Sequence, residues 1–113
     1  MELNVSHEVG YVWAATTGKV DESAKPLFDE YLHPLVAERG TKVVLDLSQS
    51  NFITSNGIGQ LVSLATHANT AGSRVVLAAC SPFIAITLDR CKLNRFFDMA
   101  PSVAEAVGQL LDQ

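Results

Sequence analysis

Cysteine is scarce in this sequence, which contains only Cys80 and Cys91 among 113 residues. Small secreted domains that depend on disulfide bonds use more cysteines at closer spacings. Cys80 ends an apolar run and Cys91 closes a helical pattern, so we predict two buried, reduced thiols. The amino terminus, MELNVSHEVG, also lacks the basic stretch and apolar run of a signal peptide. Together these features predict a cytoplasmic protein.

Long hydrophobic runs and clusters of positive charge are also missing. The longest apolar run, VVLAAC at 75–80, is far too short to span a bilayer. Acidic residues, of which there are 12, outnumber the 8 lysines and arginines, and the formal net charge is −4. The basic residues are scattered, and only Arg90, Lys92 and Arg95 come near one another. Because nucleic acids and anionic membranes are bound through basic surfaces, we expect neither nucleic-acid binding nor direct membrane insertion.

The motifs of catalysis and of cofactor binding are absent as well. The sequence has no G-x-S-x-G nucleophile elbow, no phosphate-binding G-x-x-x-x-G-K-[ST] loop and no dinucleotide-binding G-x-G-x-x-G. His7, His33 and His67 fall on three different predicted elements without the spacing of metal ligands. Asp46 has no second carboxylate nearby, so we predict that it accepts hydrogen bonds from loop N–H groups and hydroxyls. We therefore expect no enzyme activity, no cofactor and no metal.

The first third of the chain reads as a hairpin followed by a helix. Two runs rich in β-formers, residues 2–7 and 11–17, flank a turn at residues 8–10. Asp21 is predicted to cap a helix whose apolar stripe runs from Ala24 to Val36. Pro34 lies inside this stripe, where proline removes a hydrogen bond and clashes with the preceding turn. We therefore predict a kink or a restart of the helix near residues 32–33.

Buried strands then alternate with helices. The strands are predicted at residues 42–47, 74–79 and, as a short last strand, 95–98. Helices are predicted at about residues 57–71 and 82–91, and a final helix after Pro101-Ser102 has Val103, Ala106, Val107, Leu110 and Leu111 facing inward. This order predicts an α/β fold in a single domain of residues 1–113. Its sheet is mixed but mostly parallel, with four to five strands, an N-terminal β-hairpin and about four helices.

One polar stretch, DLSQSNFITSNGIG at residues 46–59, stands out at a predicted strand-to-helix turn. Loops at the carboxyl ends of parallel strands are where open α/β sheets meet ligands and partners. Ser55 and Asn56 are residue types that favour a helix N-cap. A helix N-terminus also favours negative charge, so a phosphate added there would act on an exposed surface.

This stretch and its surroundings resemble the STAS domain of bacterial anti-sigma factor antagonists. The family pattern is a strand ending in Asp-Leu-Ser, an aromatic residue in a short loop, and a Ser-Ser-Gly-type helix start. A second apolar strand, a Ser-Pro helix start and a Leu-x-x-Phe sequence follow it. The equivalents here are Asp46-Leu47-Ser48, Phe52, Ser55-Asn56-Gly57-Ile58-Gly59, Val75-Val76-Leu77, Ser81-Pro82 and Leu93-Asn94-Arg95-Phe96. Gly18-Lys19-Val20-Asp21 is similar to the family's motif before the first helix, so the resemblance covers essentially the whole chain.

The resemblance implies a binding module without catalysis of its own. Proteins of this kind bind a GHKL-type serine kinase that is also an anti-sigma factor, and so free the sigma factor. The kinase phosphorylates a serine or threonine at the helix start, and a phosphatase reverses the modification. By the resemblance, the partner-binding loop and helix start would comprise Asp46, Ser48, Asn51, Phe52, Thr54, Ser55, Asn56, Gly57 and Gly59.

The sequence departs from the family at the usual phospho-acceptor, the residue immediately before the first glycine of the helix. That residue is Asn56, whose amide cannot take a phosphoryl group. Three interpretations are open. Ser55 or Thr54 is the acceptor instead, or Asn56 keeps the protein permanently competent to bind. In the third, the domain serves another partner in a larger assembly, such as a stressosome-like scaffold or a lipid-transport complex. The oligomeric state is also left open.

Overall fold

In the computed structural model, which describes residues 1–112, the chain forms one mixed sheet of five strands that lie side by side in their order along the chain. Strands β1 (Glu2–His7) and β2 (Val12–Thr17) pair as an antiparallel hairpin. Strands β3 (Lys42–Gln49), β4 (Arg74–Ala78) and β5 (Asp98–Ala100) follow in parallel with β2. The predicted mixed, mostly parallel sheet with an N-terminal hairpin is confirmed.

The helices cover both faces of this sheet. They are α1 (Ala24–Tyr31), α2 (His33–Val36), α3 (Ser55–Ala71), α4 (Pro82–Arg90) and α5 (Val103–Leu111). Side chains alternate along a strand, so Val43 and Leu45 face α1 to α4 while Val44 faces α5. Both faces of β3 are therefore buried, as its continuous apolar sequence predicts. Within residues 1–112, none of these helices combines the length and the apolar character needed to cross a bilayer.

Pro34 interrupts the first predicted helix at the expected place. Helix α1 ends at Tyr31, α2 begins at His33, and Pro34 lies in the first turn of α2, where its missing N–H is not needed. The prediction that Asp21 caps α1 is wrong, because the residue before Ala24 is Ser23. The Asp21 carboxylate instead accepts hydrogen bonds from the Ser23 hydroxyl and N–H, and these bonds lower the pKa of Asp21.

The carboxyl-terminal part differs from the predictions in three details. The last strand occupies Asp98–Ala100 rather than residues 95–98. Phe97, immediately before this strand, is buried in the core, whereas Phe96 is 43% exposed. Cys91 is exposed, because the core positions of α4 end at Leu88 and the chain turns away at Lys92, whose φ is 59°. Leu111, which was predicted to face inward, is 46% exposed near the end of α5.

A pair of histidines joins α2 to α3, which sequence spacing did not reveal. The Nδ1 atoms of His33 and His67 lie 2.7 Å apart, and their rings are stacked with centroids 5.0 Å apart. At this distance one nitrogen donates and the other accepts, so a second proton would place two donors face to face. Burial and the charge of His67 lower the pKa of His33, and they outweigh the opposing effect of the Asp29 carboxylate.

We expect this pair to make folding stability fall as the pH decreases. Below the ordinary histidine pKa of 6.5 the unfolded chain binds a proton at position 33 that the folded chain excludes. The stability contributed by neutral His33 is complete above that pKa and is lost as the pH falls through the lowered folded value. Urea unfolding at about pH 7.5 and about pH 5.5 measures the loss, which should be smaller in His33→Phe than in the unmodified protein.

The control for this measurement is His7→Phe, since His7 is exposed on β1. The loss of stability in His7→Phe should equal that of the unmodified protein. An equal loss in His33→Phe would show that the pair does not carry the pH dependence.

Candidate functional site

The polar segment of residues 48–56 lies at the carboxyl end of β3 and is hydrogen-bonded to the residues that follow β2. Gly18 N–H donates to the Gln49 carbonyl (3.1 Å), and Val20 N–H donates to the Phe52 carbonyl (3.0 Å). Thr54 N–H in turn donates to the Val20 carbonyl (3.0 Å). These bonds extend the parallel pairing of β2 and β3 beyond the sheet, so the segment has a defined backbone path rather than a free loop.

A buried pair of hydroxyls lies beneath the segment. Thr16 Oγ1 and Ser50 Oγ are 2.6 Å apart, and both residues are fully buried. The register of β2 and β3 shifts between Ala15 and Thr17, so that Thr16 drops out of the ladder. Ser50 therefore contributes a hydrogen bond inside the fold and presents nothing at the surface.

Asp46 organises the end of β3, as predicted. Its carboxylate is almost completely buried and accepts from Ser48 N–H through Oδ1 (2.9 Å) and from Trp13 Nε1–H through Oδ2 (3.3 Å). The predicted N–H donors are therefore present, and the second one is a side chain of β2 rather than a loop hydroxyl. In the part of the chain that the structure describes, no three His, Cys, Asp or Glu residues are grouped to hold a metal.

Helix α3 begins two residues earlier than predicted, and Thr54 is its N-cap. Thr54 has extended backbone angles, and its Oγ1 accepts a hydrogen bond from Gly57 N–H (3.2 Å). Ser55 and Asn56 are thus first-turn residues and do not cap the helix, although both are residue types that favour an N-cap. Freed from capping, both side chains are exposed at an N-terminus that carries no acidic residue in its first turn.

The two glycines of the motif have different surroundings. A Cβ atom on Gly57 would overlap the Val20 carbonyl oxygen and lie 2.7 Å from its carbonyl carbon. A Cβ atom on Gly59 would meet nothing within 4 Å. Gly57 therefore allows the start of α3 to pack against the chain after β2, whereas Gly59 lies on the solvent side of the helix.

The predicted site residues divide by exposure. Asp46 and Gly57 are buried, and Thr54 is partly buried with its Oγ1 used in the cap. The exposed members are Ser48, Asn51, Phe52, Ser55, Asn56 and Gly59. The exposed group offers two hydroxyls, two amides and one aromatic ring on a backbone held by hydrogen bonds.

An aromatic contact at this site was missed in the sequence. The ring of Phe52 stacks on Phe83 of α4, with centroids 4.7 Å apart and an interplanar angle of 24°. Lys19 Nζ lies 5.4 Å from the centroid of the Phe52 ring. Phe83 follows the Ser81-Pro82 helix start at the carboxyl end of β4, the strand next to β3. The predicted order of the strands could have indicated this contact, because neighbouring parallel strands end at the same edge of a sheet and bring the residues that follow them together.

Cys80 lies close to this end of the sheet but offers no reactive thiol. It lines an open groove of about 340 Å³ together with Ala85, Met99, Ala100 and Pro101. Burial raises the pKa of the Cys80 thiol to about 11. Because the thiolate is the nucleophilic form, this neutral thiol is suited to packing rather than to chemistry.

Comparison with known families identifies the class. Residues 3–106 match the STAS domain, and the chain belongs to that family. The resemblance drawn from residues 46–59 and their surroundings is thereby confirmed. Comparison of the sequence with curated proteins gives no match.

Solved structures with the same fold include two anti-sigma factor antagonists and a variant of the protein RsbS. An anti-sigma factor antagonist from Mycobacterium paratuberculosis is 20% identical with a TM-score of 0.84, covering 98% of this chain and 94% of that one. A serine-to-glutamate variant of RsbS from Moorella thermoacetica is 22% identical with a TM-score of 0.83, covering 99% and 97%. The anti-sigma factor antagonist SpoIIAA in its unphosphorylated form is 14% identical with a TM-score of 0.72, covering 98% of each chain. At these identities the likeness establishes the fold.

Proposed function

We propose that this protein is an anti-sigma factor antagonist-like regulator. It binds a GHKL-type serine kinase that is also an anti-sigma factor, and so influences sigma-factor-dependent transcription. The observation that carries the proposal is the exposed, polar start of α3, held on a fixed backbone in a STAS domain. The contact surface comprises the 48–56 segment and the first turns of α3. The protein acts in the cytoplasm by binding, without catalysis, cofactor or nucleic acid.

Binding of the kinase tests this proposal directly. Each GHKL-type serine kinase encoded in the source genome is purified and titrated into the labelled protein, and one of them should bind. Asn56→Asp should weaken that complex about tenfold, since it buries an unpaired charge at the interface. The same substitution should not destabilise the free protein, because a negative charge near a helix N-terminus is favourable.

Asn69→Asp is the matched control, since Asn69 is exposed on the same helix but near its other end. Its affinity for the kinase should equal that of the unmodified protein. If no kinase binds, the proposed function is wrong. If the kinase binds and Asn56→Asp has no effect, the start of α3 is not the contact surface.

Ser55 is the proposed phospho-acceptor, in preference to Thr54. Ser55 is exposed in the first turn of α3, whereas the Thr54 oxygen is engaged as the N-cap. After incubation with the bound kinase, Mg²⁺ and ATP, mass spectrometric mapping should place one phosphate on Ser55. Ser55→Ala should remain unlabelled, and Thr54→Ser, which keeps a capping hydroxyl, should be labelled normally. A labelled Ser55→Ala protein would assign the acceptor elsewhere. In the proposed cycle, a phosphatase removes the phosphate from Ser55 and restores binding to the kinase.

A second function is favoured by Asn56 itself. If the kinase binds but labels no residue, the protein is a permanently competent binder. The amide at the family's usual acceptor position suits a non-phosphorylated STAS subunit of a larger assembly, such as a stressosome-like scaffold or a lipid-transport complex. Size-exclusion chromatography of the native complex separates these cases, because a kinase complex is small and an assembly of many subunits is not.

A further inference from the structure

An exposed apolar surface adjoins the start of α3, and two of its three residues belong to no motif of the sequence. It consists of Phe52 in the 48–56 segment and of Phe83 and Ile86 on α4, and we refer to these three residues as the aromatic platform. Their side chains are 39%, 44% and 54% exposed. The core side of α4 is occupied by other residues, Ile84 and Leu88, which are fully buried. The platform is therefore a second apolar face of α4, and the fold itself does not require it.

The platform is a connected surface rather than three separate side chains. Phe52 and Phe83 stack on each other and thereby connect the segment after β3 to the first turn of α4. Ile86 lies three residues after Phe83, and residues at this spacing are neighbours on one side of a helix. Exposed aromatic groups of this kind are typical of interface centres, where they bury a large area at a small loss of side-chain freedom.

One exposed positive charge lies beside the Phe52 ring of the platform. Lys19 is exposed, its Nζ lies 5.4 Å from the centre of the Phe52 ring, and within residues 1–112 it forms no ion pair. The adjoining first turn of α3 carries no acidic residue and contributes the positive end of its helix dipole. A complementary surface therefore presents an apolar side chain with a carboxylate next to it.

We propose that the aromatic platform and Lys19 extend the partner-binding surface from the start of α3 onto α4. The occupant is the kinase of the proposed function, on which this inference rests. The kinase inserts an apolar side chain against Phe83 and Ile86 and places a carboxylate beside Lys19. The helix start then carries the phosphorylation chemistry, while the platform supplies a large part of the affinity.

The test uses the full chain and the kinase that binds it. Phe83→Ala and Ile86→Ser should each weaken binding about tenfold or more, as expected for truncation at an interface centre. Lys19→Glu should weaken binding and should also reduce its dependence on salt, because it removes an attractive charge pair. Circular dichroism of each variant shows whether it is folded. If Phe83→Ala does not fold, the affinity of Ile86→Ser alone tests the platform.

Matched controls come from exposed residues outside the platform. Tyr31→Ala removes another aromatic side chain, one that is 49% exposed on α1, and Lys92→Glu reverses an exposed charge after the end of α4. Both should bind the kinase with unchanged affinity.

Three results would overturn the inference, and they are distinguishable. If no kinase binds the unmodified protein, both the proposed function and the proposed occupant of the platform are wrong. Unchanged kinase affinity in Phe83→Ala and Ile86→Ser rejects the platform alone and leaves the proposed function intact. Sedimentation showing a dimer of the unmodified protein that becomes monomeric in Ile86→Ser would assign the platform to a second copy of this chain.

Discussion

Replacing Gly57 by alanine is expected to lower the free energy of unfolding by about 3 kcal/mol, the upper part of the range for inserting an atom into a packed site. The added Cβ atom would overlap the Val20 carbonyl oxygen, lie 2.7 Å from the carbonyl carbon, and approach Ile53 Cγ1 to 3.0 Å. Val20 has little room to withdraw. Its N–H donates to the Phe52 carbonyl and its own carbonyl accepts from Thr54 N–H. Relief of the clash therefore breaks the backbone bonds that hold the 48–56 segment.

Gly59→Ala is the matched comparison, since it adds the same methyl group two residues later on the same helix. A Cβ atom there meets nothing within 4 Å, so the substitution should stabilise the protein by about 0.5–1 kcal/mol through the higher helix propensity of alanine. Urea unfolding of both variants measures the two effects. Equal stabilities for Gly57→Ala and Gly59→Ala would show that the contact with Val20 is not a packing constraint.

The second large effect is expected at the buried hydroxyl pair of Thr16 and Ser50. Thr16→Val alone should cost about 2 kcal/mol, since it leaves the Ser50 hydroxyl buried without a partner. Ser50→Ala alone should have a similar cost, because it leaves the Thr16 hydroxyl in the same state. The double variant removes both polar groups, so its loss should be well below the sum of the two single losses.

A double-mutant cycle measured by urea unfolding decides this prediction. The double variant should lose less stability than the two single variants together, because the second substitution removes the hydroxyl that the first one left unpaired. Thr17→Val serves as a control, since Thr17 is a partly exposed neighbour on β2. Strictly additive losses for Thr16→Val and Ser50→Ala would show that the two hydroxyls do not stabilise each other.

Local sequence signals predicted the elements well where one periodicity dominates. The apolar run at residues 42–47 is a strand buried on both faces. The helix breaks just before Pro34, because proline has no N–H to donate inside a continuous helix. Helix starts were less predictable, because several residues near each start are good caps. At α3, Thr54, Ser55 and Asn56 all favour capping, and the bond from Thr54 N–H to Val20 selects Thr54 by fixing its extended backbone.

Contacts between distant segments could not be read from spacing. Thr16 and Ser50 are 34 residues apart, as are His33 and His67, and Phe52 and Phe83 lie on different elements. Each pair depends on strand register or helix packing, so a shift of one residue would separate its members. The exposure of Cys91 and Leu111 was mispredicted for a related reason, since a periodic pattern does not show where along a helix the buried positions end.

The sequence by itself determined the order of strands and helices, the mixed sheet, and the stretch at residues 46–59 whose motifs are those of a STAS domain. It also determined that an asparagine, Asn56, rather than a serine or threonine stands immediately before the first glycine of the helix, since that depends on residue identity alone. Only the tertiary structure decided how the stretch is used. The pairing of residues 18–20 with residues 49–54 makes Thr54 the cap and leaves Ser55 and Asn56 exposed. The neighbouring ends of β3 and β4 bring Phe83 to Phe52, because parallel strands place their carboxyl ends at one edge of the sheet.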